Sequence, residues 1–243
     1  MPTDPSNDPR DKAATLLRLA QLRQAPRWPG FNSIADFHGG IYECDWVSPY
    51  TKSAANLEAD VFLLLQDWCS ADFLSGAVDD DLIHYGRRPN VPTNRNLDRL
   101  LENYLGLPIR AAYATNLFAF VKPGGMTVGI PMRDLVSSAE AFALPQIDIV
   151  GPRLVIVFGF HCYNALAAVL GGPRARTLDE ALQRPIAHRT CTMWCQAHPG
   201  GLGQANRRRG GIDRVAGDWQ VMAQFLDVTT GLQRRNDQPS GRA

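Results

Sequence analysis

Three places in this sequence put reactive side chains where apolar runs end. "LLLQDWCS" (63–70) stops on Gln66 and the carboxylate of Asp67, "AAYATNLF" (111–118) carries the carboxamide of Asn116, and "AHPGGLG" (197–203) carries the imidazole of His198. A carboxylate can orient water or face a developing cation. A carboxamide offers a donor and an acceptor side by side, and an imidazole can donate to a leaving oxygen. Singly, each residue also has an ordinary structural use as a loop cap, a turn residue or a buried histidine. Chemistry requires that the chain bring them together.

The elements that would do so are legible. Apolar runs at 60–65, 111–118, 153–159 and 192–198 have strand character. Between them lie helical patterns. Leu97, Leu100, Leu101, Tyr104 and Leu105 follow i, i+3, i+4, i+7, i+8, and Gly106 supplies a stop. Further helices are expected at 133–147, at 164–170 before Gly171-Gly172, and at 213–226, where Val215, Trp219, Met222 and Leu226 share a stripe. An amphipathic helix is expected at 12–24, ending before Pro26. Strands alternating with helices predict an α/β fold in which a parallel sheet of four strands is covered on both faces. The carboxyl ends of parallel strands share one rim, where ligands bind. Gln66-Asp67, Asn116, Gly159-Phe160-His161 and His198 all fall there.

The totals restrict the function classes. The net charge of +1 gives no global pull on a polyanion. Only Lys12, Lys52 and Lys122 among the 25 basic residues are lysines, so anion contacts are biased towards arginine. No apolar stretch approaches the ~20 residues that span a bilayer, and the proline-rich start has no apolar segment of signal-peptide type. A cytoplasmic protein is expected. Its five cysteines, at 44, 69, 162, 191 and 195, are expected to be free thiols. Cys191 and Cys195 form a lone C-x3-C, a weak metal signal. A single domain over 12–228 is expected, flanked by flexible tails at 1–11 and 229–243.

The order "LLLQDWCS … YATNLF … RLVIVFG … AHPGGLGQANRRR … DW" resembles the uracil-DNA glycosylase superfamily across roughly residues 60–226. That family has a Gly-Gln-Asp-Pro-Tyr-type motif after the first strand, an asparagine after the second and a His-Pro-Ser-Pro-Leu-type motif after the fourth. The resemblance implies a three-layer α/β/α sandwich around a four-stranded parallel sheet. It implies a monofunctional DNA glycosylase that flips out uracil or a related damaged base, in single- or double-stranded DNA, and leaves an abasic site. No metal or other cofactor is implied. Asp67 then positions water and faces the cationic sugar. Gln66 contacts the base, Asn116 reads its edge, and His198 donates to O2 as charge builds there. Leu202 fills the vacated stack. Gly200, Gly201 and Gly203 let the backbone approach a phosphate, while Arg207, Arg208 and Arg209 are candidate phosphate contacts beside their commoner role as a solvated face.

The chain departs from that pattern at informative positions. Trp68 replaces the proline, and Cys69 replaces the tyrosine that bars thymine, which implies a roomier pocket unless Trp68 or Phe73 fills it. Tyr85 and Phe73 are the candidates to stack on the base, Tyr85 lying nearer the expected segment. Gly200-Gly201 replace Ser-Pro, and the N-terminal C-x2-C of the cluster-bearing branches is missing, so no iron–sulfur cluster is expected. His161 is expected to cap the third helix, and His38, His84 and His188 match no motif. Two other readings stay open. One is a relative that binds uracil-containing DNA without catalysis. The other is a flavodoxin-like small-molecule binder, against which "QDWCSADFL" offers no Gly-rich phosphate loop.

Overall fold

The computed structural model describes the backbone of residues 9–25 and 27–236 and the side chains of 10–25 and 27–226. In chain order the elements begin with α1 (Pro9–Gln24), β1 (Val61–Leu65), α2 (Ala71–Leu74), α3 (Asp80–Tyr85), α4 (Pro92–Leu105) and β2 (Tyr113–Asn116). They continue with α5 (Met132–Ser138), α6 (Leu144–Val150), β3 (Leu154–Phe158), α7 (Phe160–Val169) and α8 (Leu178–Leu182). The last are β4 (Ile186–His188), β5 (Cys191–Gln196), α9 (Gly201–Arg207) and α10 (Arg214–Asn236). A π-helical turn, Ala139–Ala143, joins α5 to α6. Of the expected tails, 9–11 open α1 and 229–236 continue α10, while 1–8 and 237–243 lie outside the described residues.

The sheet has five strands in the order β2-β1-β3-β5-β4. The four expected strands pair in parallel, with Leu65 opposite Asn116 and Phe158 opposite Gln196 at the carboxyl ends. The strand count of four is corrected by β4, which pairs antiparallel with β5 and makes His188 face Cys191. The strand escapes a hydrophobic scan because it is three residues long and only partly buried. Its hairpin turns through Arg189, whose φ of 49° places it in the left-handed region.

The apolar runs are continuous because both faces of the sheet are covered. Phe62, Leu64, Val155, Val157 and Met193 pack under α1 and the α5–α8 layer. Val61, Leu63, Leu65, Ile156 and Trp194 pack under α4 and α10, against Leu97, Leu101, Trp219 and Met222. The result is an α/β/α sandwich. A third apolar cluster, with Tyr42, Cys69, Leu74, Leu82 and Val121, fills the space under the segments that leave the rim. Among the described residues no helix is long and apolar enough to cross a membrane.

Candidate active site

Beyond β1 the chain is stitched to the segment after β2. Leu117 and Phe118 N–H donate to the carbonyls of Leu65 (2.7 Å) and Gln66 (2.8 Å), then Ala71 N–H donates to Lys122 O (2.9 Å) and Asp72 N–H to Gly124 O (3.0 Å). This seam carries Lys122 to Asp67, and its Nζ lies 2.8 Å from Asp67 Oδ2. The same ammonium donates to Met126 O (2.7 Å). The other carboxylate oxygen, Oδ1, accepts from Gln66 Nε2 at 3.0 Å. The side chains of Asp67 and Lys122 are only 10% and 4% exposed, so the pair is little screened by water.

His198 approaches from the far side, two residues beyond β5. Its Nδ1 accepts the Gly200 N–H (3.0 Å), which leaves the hydrogen of a neutral ring on Nε2. Glycine is required around it. A Cβ on Gly203 would lie 2.3 Å from His198 O, and one on Gly200 2.8 Å from His198 Nδ1. Gln204 Nε2 donates to His198 O (3.3 Å) and Asn96 Nδ2 to Pro199 O (2.9 Å), tying the turn to α9 and α4. The imidazole is exposed to solvent by area, yet protein atoms crowd it. That desolvation lowers its pKa from the usual 6.5, with Asp67 pulling the other way and Lys122 adding to the fall. The ring is therefore a neutral Nε2–H donor at physiological pH.

Asp67 and His198 line one cleft of about 280 Å³. Trp68, Cys69, Phe73, Arg88, Asn94 and Met126 contribute to its walls. The size sits near the ~300 Å³ lower end of small-molecule sites. Trp68 is fixed by donation from Nε1 to Gly86 O (2.7 Å). Gly86 has φ 66°, and a Cβ there would fall 1.6 Å from Pro49 O, so no other residue fits. Asn94 has both amide ends engaged, accepting from Tyr50 OH (2.7 Å) and donating to Arg88 O (2.8 Å). The Arg88 guanidinium sits 5.7 Å from the centre of the Phe73 ring.

The other expected residues divide clearly. Phe73 is in the cleft wall, whereas Tyr85, the ring preferred from the sequence, is 52% exposed and outside it. Cys69 is buried in the wall, and burial pushes its thiol well above the ordinary range, with Asp67 and Asp79 adding to the rise. It stays protonated, a packing group rather than a nucleophile. Asn116 is buried beside the cleft rather than in its wall, with Oδ1 taking the Ser48 hydroxyl at 2.6 Å. Gly200 caps α9, so Gly201, Leu202 and Gly203 form its first turn rather than an open loop. Leu202 projects from that turn, 78% exposed.

The arginine run is not a uniform face. Arg207 is buried, with Nε and an Nη on Asp218 (2.8 and 2.9 Å) and the other Nη on Asp179, so it is withdrawn from the list of phosphate contacts. Arg208 pairs with Asp213 (3.2 Å) at the surface, and Arg209 is exposed. His161 lies in the first turn of α7, whose N-cap is Gly159. His188 Nε2 meets Asp148 Oδ1 at 2.8 Å. The cysteines are free thiols, and among the described residues no cluster of three or more His, Cys, Asp or Glu could hold a metal ion. Lys122 was missed from the sequence because it lies far along the chain from Asp67. Its one signal is the scarcity of lysine in a chain that otherwise uses arginine.

No protein-family model matches this chain, and no curated protein matches it either.

Proposed function

We propose that the protein is a monofunctional DNA glycosylase that takes a flipped uracil or related damaged base into this cleft. The observation that supports it is the meeting of Asp67 and His198, 131 positions apart in sequence (198 minus 67), in one small cleft with an aromatic ring, Phe73. In this reading Phe73 stacks on the base. Cleavage of the bond between C1′ and the base nitrogen leaves the electron pair on the base and cationic character on the sugar. Water adds to C1′ and gives its proton to Asp67 or to solvent. His198 Nε2–H donates to the base oxygen that gains charge, a kind of contact commonly worth ~3 kcal/mol in the transition state. Its lowered pKa suits a neutral donor. Lys122 offsets part of the Asp67 charge, so orienting water becomes the larger share of that carboxylate's role.

Cys69 is smaller than the tyrosine it stands in for, which favours 5-substituted uracils, but Trp68 and Phe73 line the same cleft and work against that room. In this reading Leu202, apolar and exposed on α9, enters the gap left by the flipped nucleotide. Asp79, Asp80 and Asp81 lie at the α3 side of the cleft, and their charge disfavours a phosphate path there. The DNA backbone is expected on the α9 side, near Arg208 and Arg209.

A second reading, base binding without catalysis, is favoured by the Lys122 ammonium on Asp67, which neutralises the charge that would face the sugar cation. Incubation with labelled oligonucleotides carrying uracil, hydroxymethyluracil, xanthine or hypoxanthine, followed by alkaline scission, separates the two. Scission at a lesion supports the glycosylase. Retained binding without scission supports the second reading.

A further inference from the structure

The neutral imidazole of His198 has one place to take a second hydrogen, and the fold has filled it. Nδ1 accepts the Gly200 N–H at 3.0 Å. Protonating the ring would set two N–H groups against each other across that distance. The turn has little slack to answer, because the carbonyls of His198 and Pro199 are held by Gln204 Nε2 (3.3 Å) and Asn96 Nδ2 (2.9 Å). A charged His198 therefore opens the turn that carries it.

Beside desolvation, which works against the proton most strongly, two charges act on the ring: Asp67 favours the proton and Lys122 opposes it. Asp67 lines the same cleft as His198. Lys122 meets it at close range, with Nζ 2.8 Å from Asp67 Oδ2 and both side chains buried. A second bond, to Met126 O (2.7 Å), keeps the ammonium in place. The other cations of the cleft wall are matched by their own carboxylates, Arg87 by Asp98 (2.7 Å) and Arg88 by Asp79 (3.2 Å). From α4 and α9 the turn is met by Asn96 and Gln204, which carry no charge. We infer that Lys122 is a positioning residue for His198: by holding the Asp67 carboxylate in an ion pair, it keeps Asp67 from drawing a proton onto Nδ1 and opening the turn. These groups belong to the cleft proposed above for base excision, yet the effect is present in the unliganded chain.

The test uses the full chain, uniformly labelled with ¹⁵N and titrated from mildly alkaline to mildly acidic pH without ligand. Long-range ¹H–¹⁵N spectra report the tautomer and protonation of His198, with His198→Gln for assignment. In Lys122→Met the pH at which His198 takes its proton should rise, because a positive charge has gone and Asp67 acts unopposed. The Gly200 amide signal should move over the same range. Lys122→Arg should restore the native titration. A lysine with a merely structural role would disturb the turn at every pH, whereas here the fault appears on the acid side alone. Asp67→Asn should lower the titration, and adding Lys122→Met to it should raise it again. That pair of variants carries the test if Lys122→Met alone does not fold, since it leaves no buried carboxylate unpaired. An unchanged His198 titration in Lys122→Met, or equal titrations in Asp67→Asn with and without Lys122→Met, overturns the inference. Base release from uracil oligonucleotides is read separately. Release with an unmoved titration removes this inference alone, and a moved titration without release removes the glycosylase alone.

Discussion

Two charge clusters, each built on a buried cation, hold segments that leave the carboxyl rim, and they differ in what their carboxylates face. At Arg207 every side-chain nitrogen is committed, to Asp218 on α10 and Asp179 on α8, and the cluster clamps α9 onto its neighbours. At Lys122 the ammonium is committed to Asp67 and to Met126 O, but Asp67 forms part of a cleft wall. The first cluster is conspicuous in sequence as a triple arginine and proves architectural. The second joins a lone lysine to a distant aspartate and borders the proposed chemistry. A charged residue becomes available for function when its partner network leaves a lone pair or a proton facing space. Mere density of charge along the chain does not decide it.

The strongest way to break this contrast is Asp67→Asn. Base release should fall by ~10²–10⁴-fold, the usual share of a positioned general base. The same change leaves the Lys122 ammonium without its carboxylate and should lower stability by about 3 kcal/mol, the cost of breaking a buried pair. Urea unfolding measures it, and unchanged stability would mean that the pair is not formed.

Arg207→Ala should do the reverse, removing about 2 kcal/mol of stability, discounted because Asp179 is largely exposed, with base release unchanged below its unfolding temperature. A parallel loss of release would make the α9 clamp part of the site.

The pH response sharpens the comparison further. The native pKa of His198 lies below 6.5, so from 6.5 downward the unfolded chain holds more protons than the folded one. Stability should fall with pH through that window, to the native value. His198→Gln should lose this share of the acid sensitivity, seen as a shallower decline of the unfolding midpoint between neutral and mildly acidic buffer. An identical decline would mean that the imidazole is not desolvated. The smallest effect on stability belongs to Leu202→Ala, within ~0.5 kcal/mol for an exposed side chain, accompanied by weaker binding of lesion-containing duplex. Unchanged binding in a fluorescence-anisotropy titration would remove the wedge.

The sheet was largely legible because its strands are buried on both faces. "VFLLL" and "LVIVF" are unbroken apolar runs, and a parallel order follows from the helices between them. The same logic put Asp67 and His198 at one rim. Legibility failed where structure depends on partners remote in sequence. β4 is too short and too exposed to carry a pattern. That Phe73 lines the cleft and Tyr85 does not depends on how α3 ends at Gly86, packed against Pro49 O. The burial of Arg207 depends on carboxylates from two other helices. The glycines after His198 read as a backbone that can approach a phosphate, yet at 200 and 203 a side chain would collide with the histidine itself.

The central claim is that the cleft between Asp67 and His198 performs base excision while the Arg207 cluster only supports it. Single-turnover release of uracil from a labelled single-stranded oligonucleotide, by the native chain, Asp67→Asn and Arg207→Ala side by side, tests it most directly. Release by the native chain and Arg207→Ala at equal rates, with Asp67→Asn slower by ~100-fold or more, is the predicted result. Equal rates for the native chain and Asp67→Asn, or no release by the native chain, would contradict it.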